Sequence, residues 1–207
     1  MNNKGISAIA PVILLISFIL IGSTVASVLS DSSENVSEQD LEEMVDEIVD
    51  EISTYLKIED VMGKFVNCNG ELKIQKIVLM IEPLFSVDIN ISELIIKLYN
   101  GEDVKMLYYD GKSSFIDSNS LFEHCLWTNT SSEVYNSIVI LDADRSIIDY
   151  GIINDNSDLM YIIINLPEEF LMKKGELMTI SIFNSNGITR TVNIKAPMPM
   201  KKIVSLL

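Results

Sequence analysis

The chain has 207 residues, 48% of them hydrophobic, and a formal net charge of −15. Its length is ample for one core of ordinary domain size. The acidic balance argues against nucleic-acid partners, because phosphate contacts need clustered Lys and Arg and the lysine pairs are only Lys173-Lys174 and Lys201-Lys202.

Met1 to Gly5 carries one positive side chain, Lys4, directly before an uncharged run from Ile6 to Leu29. That run holds 24 residues, 14 of them Ile, Leu, Val or Phe. As a helix it would be about 36 Å long, enough to cross the hydrocarbon core of a bilayer. Burying its large side chains is worth on the order of 20–40 kcal/mol as an upper estimate. The segment therefore belongs in lipid, in a core made of copies of itself, or on a piece that is cut away. It exceeds the ~7–15 apolar residues of a secretory signal, although Ser23, Thr24, Ala26 and Ser27 near its end imitate a cleavage site. In a membrane, the Lys4 end stays inside and the acidic remainder goes outside. Pro11 removes one backbone hydrogen bond from the run, at small cost near a helix start.

Asp31 to Val66 reads as an acidic amphipathic helix. Leu41, Ile48, Tyr55 and Met62 recur every seven residues, and Met44, Val45, Ile52, Leu56, Phe65 and Val66 widen the stripe. Between Asp31 and Asp60 the net charge is −11, which leaves −4 for the rest of the chain. Those carboxylates are too many and too regular for an acid–base pair; a solvated face opposite a packed one is the simpler account. Asn67-Cys68-Asn69-Gly70 is turn chemistry.

Beyond it the period changes to that of strands. Candidates are Lys73–Ile81, Leu94–Tyr99, Val104–Tyr109, Tyr135–Leu141, Ile147–Ile153, Leu159–Leu166, Leu177–Phe183, Ile188–Ala196 and a short Ile203–Leu207. Asn100-Gly101 and Asn186-Gly187 are hairpin turns. With no helix of useful length between strands, βαβ units are disfavoured. The expected class is α+β: a long helix over 6–66, then an antiparallel β-sandwich, Ig-like or a flattened barrel, over 70–207.

Catalytic motifs are absent. The sequence has no HExxH, GxSxG, P-loop or dinucleotide fingerprint. Its lone histidine, His124, sits between Glu123 and Cys125, but adjacent extended residues alternate sides and cannot converge. A structural histidine beside Trp127 is the better account, so neither an enzyme nor a cofactor is expected. Asp142, Asp144 and Asp149 make a carboxylate-rich corner that suits a hard cation, or simply a turn that uses Asp for local hydrogen bonds. Asn35, Asn90 and Asn129 each open an N-x-S/T triplet and are glycan acceptor candidates in an exported chain. Outside the cell, a disulfide between Cys68 and Cys125 is allowed, and two free thiols are equally compatible with the sequence.

Three stretches carry a family resemblance. They are Lys4-Gly5 followed by Ile6; Gly70 to Tyr109, GELKIQKIVLMIEPLFSVDINISELIIKLYNGEDVKMLYY; and Val139 to Ile147 with the closing RTVNIKAPMPMKKIVSLL. In this layout the chain resembles the archaellins, or archaeal flagellins, whose amino end is similar to that of type IV pilins. The resemblance implies a leader, residues 1–5, removed between Gly5 and Ile6 by a prepilin-type peptidase. It also implies self-association through the apolar helix into a helical filament of the archaeal cell surface, after a stage in the cytoplasmic membrane. A membrane platform and an assembly ATPase would be its further partners. Pro11 is more like adhesive archaeal pilins, and Ala10 stands where bacterial pilins place a Glu. The rival readings are an adhesive pilin and a membrane-anchored accessory or stator protein with an external β-sandwich.

Overall fold

The computed structural model describes residues 56–117, 120–184, 189–198 and 201–207. The chain divides into two units, Met1–Ile48 and Val49–Leu207, and every described residue belongs to the second. The leader, the apolar run and most of the acidic stretch, with Lys4, Gly5, Ile6 and Asn35, lie outside the described residues.

The first described element corrects an expectation. Leu56–Cys68 is a strand, β1, where the seven-residue spacing predicts helix as far as Val66. It pairs antiparallel with β2, Glu71–Pro83, from Leu56↔Pro83 to Cys68↔Glu71. Along it Val61, Gly63 and Phe65 are buried in alternation, the period of a strand. The register shifts between Ile58 and Asp60 and again between Lys64 and Phe65. The first puts an extra residue, Glu59, into β1 and moves its alternation by one residue, whereas the second puts Gln75 into β2; the shift within β1 lets its apolar positions read helical while the backbone runs extended. Asn69 and Gly70, both at positive φ, close the hairpin, and the Gly70 amide donates to Asn67 Oδ1 at 2.8 Å.

The remaining strands are β3 (Ile89–Asn90), β4 (Ile95–Tyr99), β5 (Val104–Phe115), β6 (Val134–Leu141), β7 (Ile152–Ile153), β8 (Leu159–Asn165), β9 (Leu177–Phe183), β10 (Thr189–Lys195) and β11 (Ile203–Ser205). Nine of the eleven form one sheet in the order β10-β9-β4-β5-β6-β8-β2-β1-β11, while β3 and β7 pair separately. The expectation of wholly antiparallel pairing fails at one place, because β5 and β6 run parallel. The first part of β5 pairs antiparallel with β4 and the rest pairs with β6, with a register shift between Tyr109 and Ser113 around Gly111. A parallel pair needs a crossover. Residues 116–133 supply it, with 3-10 turns at Leu121–Glu123 and Cys125–Thr128.

The sheet curls around its main core. Ile77, Leu79, Leu98, Leu107, Ile162 and Ile180 come from both halves of the strand order and belong to one buried cluster. The two ends of the order meet at Leu206. Its carbonyl accepts from the Lys195 amide at the end of β10 (3.3 Å), and its own amide donates to Val61 in β1 (2.8 Å). Gly63 makes room for this, since a Cβ there would lie 3.0 Å from both Ile74 and Leu206 side-chain carbons. The crossover covers the opposite face of the central strands, packing Phe122, Leu126 and Trp127 on Val78, Ile138 and Ile163.

A second correction concerns Ile147–Ile153. The segment is a one-turn helix, α1 (Ser146–Tyr150), followed by β7. Its Ile-rich composition favours a strand, but Asp142 Oδ2 accepts the amides of Ile147 and Ile148 at 3.1 and 3.3 Å. Gly151, at φ 71°, ends the helix by donating to the Ile147 and Ser146 carbonyls. Asp142 from outside the segment and Gly151 within it thus override its intrinsic preference.

Candidate functional site

His124 is structural. It is buried, its Nδ1 accepts from the Leu126 amide at 3.3 Å, and its Nε2 donates to the Phe115 carbonyl at 3.3 Å. Trp127 lies one turn away. Its indole donates to the Leu121 carbonyl at 2.9 Å, it stacks on Phe122 at 5.8 Å, and the Lys76 ammonium sits 4.6 Å above it. Burial, helped by nearby Lys64, pushes the Lys76 ammonium below its ordinary pKa. Both ring nitrogens of His124 and the face of Trp127 are therefore committed to holding the crossover.

The carboxylate corner resolves into a turn. Asp142 caps α1. Asp144 accepts from the Ser146 amide at 2.9 Å and from the Asn154 side-chain amide at 2.8 Å. Asp149 forms a two-point pair with Arg145 at 3.2 and 3.3 Å. The three carboxylates are thus divided among local partners, and no group of three His, Cys, Asp or Glu among the described residues is placed to hold a metal ion. Burial raises Asp142, whereas the Asn154 amide and the Ser146 backbone hold Asp144 down at about 2. A lowered folded pKa stabilises above the ordinary 3.8 and loses that contribution as pH falls towards about 2. Denaturation midpoints should therefore fall more steeply in the parent chain than in Asp144→Asn between pH 5 and pH 2 (about the titration range of such a carboxyl). Parallel curves would remove this role.

Cys68 and Cys125 are not bridged. Cys68 ends β1 beside the hairpin turn, while Cys125 opens a 3-10 turn of the crossover.

Two acceptor triplets lie in the described region, and they differ in access. Asn90 caps the 3-10 turn Ile91–Glu93, with its Oδ1 accepting from the Ser92 amide and hydroxyl at 3.0 and 2.8 Å. That turn is pinned from beneath by buried Tyr135, whose hydroxyl donates toward the Ile91 and Leu94 carbonyls, each 2.8 Å away. Burial pushes the Tyr135 phenol up, keeping it a neutral donor. Asn129 is exposed at the end of the second crossover turn. Its neighbour Thr130 is buried, donating to the Leu126 carbonyl at 2.8 Å and accepting from the Asn136 side chain at 2.9 Å. The Asn129 loop is thus anchored from below and open above.

Motif-based reading missed a surface. Outward residues of β4 and β5 include Tyr99, Val104, Met106 and Tyr108, between 39% and 55% exposed. Tyr99 pairs with Val104, and Met106 with Lys97. The available signal is that Val104–Tyr109 reads apolar at both phases of the strand period instead of one.

Residues 5–194 match the family model of archaeal-type flagellin. The chain belongs to the archaeal-type flagellin family. The archaellin resemblance of its sequence is thereby confirmed, and with it the role of a subunit of the archaeal flagellum filament. This flagellin matches no curated protein in sequence. In fold it is similar to archaeal flagellin FlaB1 from Methanocaldococcus jannaschii, with 20% identity over 73% of this chain and 95% of that one, at a TM-score of 0.63. It is also similar to the archaeal flagellum of Methanospirillum hungatei strain JF1, with 10% identity over 96% of this chain and 98% of that one, at a TM-score of 0.54.

Proposed function

We propose that this flagellin is stored in the cytoplasmic membrane and polymerised through its amino-terminal segment, serving swimming motility. The observation that carries the reading is the extent of the family match, from Gly5 through the apolar run and on through β10 to Ile194. A prepilin-type peptidase cuts between Gly5 and Ile6 and leaves Ile6–Leu29 on the mature chain. The segment then passes, as the first part of a long helix, from lipid into a bundle of identical helices at the filament axis. Apolar contact with lipid is exchanged for apolar contact with neighbours, so the net hydrophobic change is small and packing sets the strength of the bundle. A membrane platform and an assembly ATPase drive the transfer. Among the described residues no helix is long and apolar enough to cross a membrane, so membrane residence rests on Ile6–Leu29.

The β-barrel-like unit faces the medium and acts by its surface, with no reaction of its own. Deleting the gene tests the role: loss of both surface filaments and swimming is expected, and retention of both would contradict it. Exposure makes Asn129 the glycan acceptor of the described region. The filament subunit should lose mass in Asn129→Gln and keep it in Asn90→Gln; mass spectrometry of intact subunits reads both.

A further inference from the structure

Strands β10, β9, β4 and β5 put one face into the core. Leu98, Leu107, Ile180 and Ile194 are fully buried there. Their neighbours along each strand point the other way. On β4 and the first part of β5 these outward residues are Tyr99, Val104, Met106 and Tyr108, beside Lys97. On β9 and β10 the outward polar groups satisfy one another: Thr179 donates to Asn193 at 2.7 Å, and Ser181 lies 2.9 Å from the Thr191 hydroxyl. From Val104 to Tyr108 and across the other three strands, no outward position holds a carboxylate, and the outward charges are Lys97 and Lys195; Asp110, the next outward position of β5, is paired with Lys112. The other half of the sheet is different, because the crossover covers its outer face with Phe122, Leu126 and Trp127.

We propose that this bare face is where a second copy of the chain docks, outer unit against outer unit, within the filament. The inference rests on the filament reading and adds a specific contact to it. Residues 61–207 carry 13 Lys and Arg against 18 Asp and Glu, so copies of the outer unit are net acidic and repel one another except where the surface lacks acid; from Val104 to Tyr108 and across β4, β9 and β10 this face has two outward lysines and no outward carboxylate. Its apolar rows gain by leaving water, and the Thr179–Asn193 and Ser181–Thr191 pairs on β9 and β10 already bond to each other, which lowers the cost of covering them. A filament repeats one contact along its length, so a modest gain per subunit accumulates.

The test uses the full chain in an archaeal host that assembles it. Tyr108→Glu and Val104→Glu place acid on the face at exposed positions. Both variants should be processed and reach the membrane at the parent level, yet enter filaments poorly; filaments at the parent level would overturn the inference. Should either variant be degraded before assembly, a photoreactive benzoyl-phenylalanine at Tyr108 decides instead. Irradiated filaments should then yield a species of twice the subunit mass, cross-linked to a second copy. Monomer alone, or cross-links only to other proteins, would overturn the inference and leave the functional reading standing. Absence of the parent chain from filaments would overturn both.

Discussion

Replacing Gly5 by a bulky residue, as in Gly5→Leu, is expected to abolish filaments while leaving the outer unit folded. The proposed cut lies directly after Gly5, and a large side chain there obstructs the peptidase. Cut or uncut, the chain has an amino-terminal ammonium, but the uncut chain also keeps Lys4 on the front of the uncharged run. The Lys4 charge costs roughly 2.5–3.5 kcal/mol in a hydrocarbon environment unless it can reach water. At the proposed membrane stage, Lys4 would lie at the inner surface and be solvated. In an axial bundle it would be carried among apolar neighbours, and the cost would recur at every subunit. Immunoblots should show a heavier species confined to membranes and nothing in the sheared fraction. Normal filaments built from that variant would refute the role given to Gly5.

Trp127→Ala is expected to cost the outer unit about 3–5 kcal/mol, the usual range for a buried aromatic reduced to Ala. Trp127 is the centre of the small core over β2, β6 and β8. Its loss removes the stack on Phe122, the hydrogen bond to Leu121 and the surface beneath Lys76. For a chain of this size each kcal/mol moves the melting temperature by roughly 2–4 °C, so a fall of about 6–20 °C follows. Cys125→Ser, two residues away on an exposed side chain, should stay within ~0.5 kcal/mol. Thermal melts of the purified full chain in detergent compare the three. A loss below about 1 kcal/mol for Trp127→Ala, no more than a typical hydrogen bond, would mean that the crossover does not depend on it.

Most of the strands were legible because their boundaries are chemical. Gly70 and Asn100-Gly101 mark turns, and the alternation of β9 and β10 carries through each strand. β1 was not legible, since the bulge at Glu59 shifts its alternation by one residue and leaves its apolar positions resembling a helical stripe. Nor was α1, whose cap is Asp142, several residues before its first turn. The parallel β5–β6 pair escaped for a different reason: the partner of a strand is a tertiary fact, and the 3-10 turns that make the crossover have no hydrophobic period. As for the site, the local roles of His124 and the Asp corner could be weighed from spacing alone. The outward apolar rows of β4 and β5 could not, because their composition equally fits a strand buried on both faces. Lys4-Gly5 and the apolar run stand out by charge and length, and they carry the family likeness together with Gly70–Tyr109, Val139–Ile147 and the closing stretch.

Amino-terminal sequencing of the subunit from sheared surface filaments tests the central claim most directly. The account predicts a chain that begins at Ile6, with the whole of Ile6–Leu29 retained. A chain that begins at Met1 and is found only in membranes would contradict it.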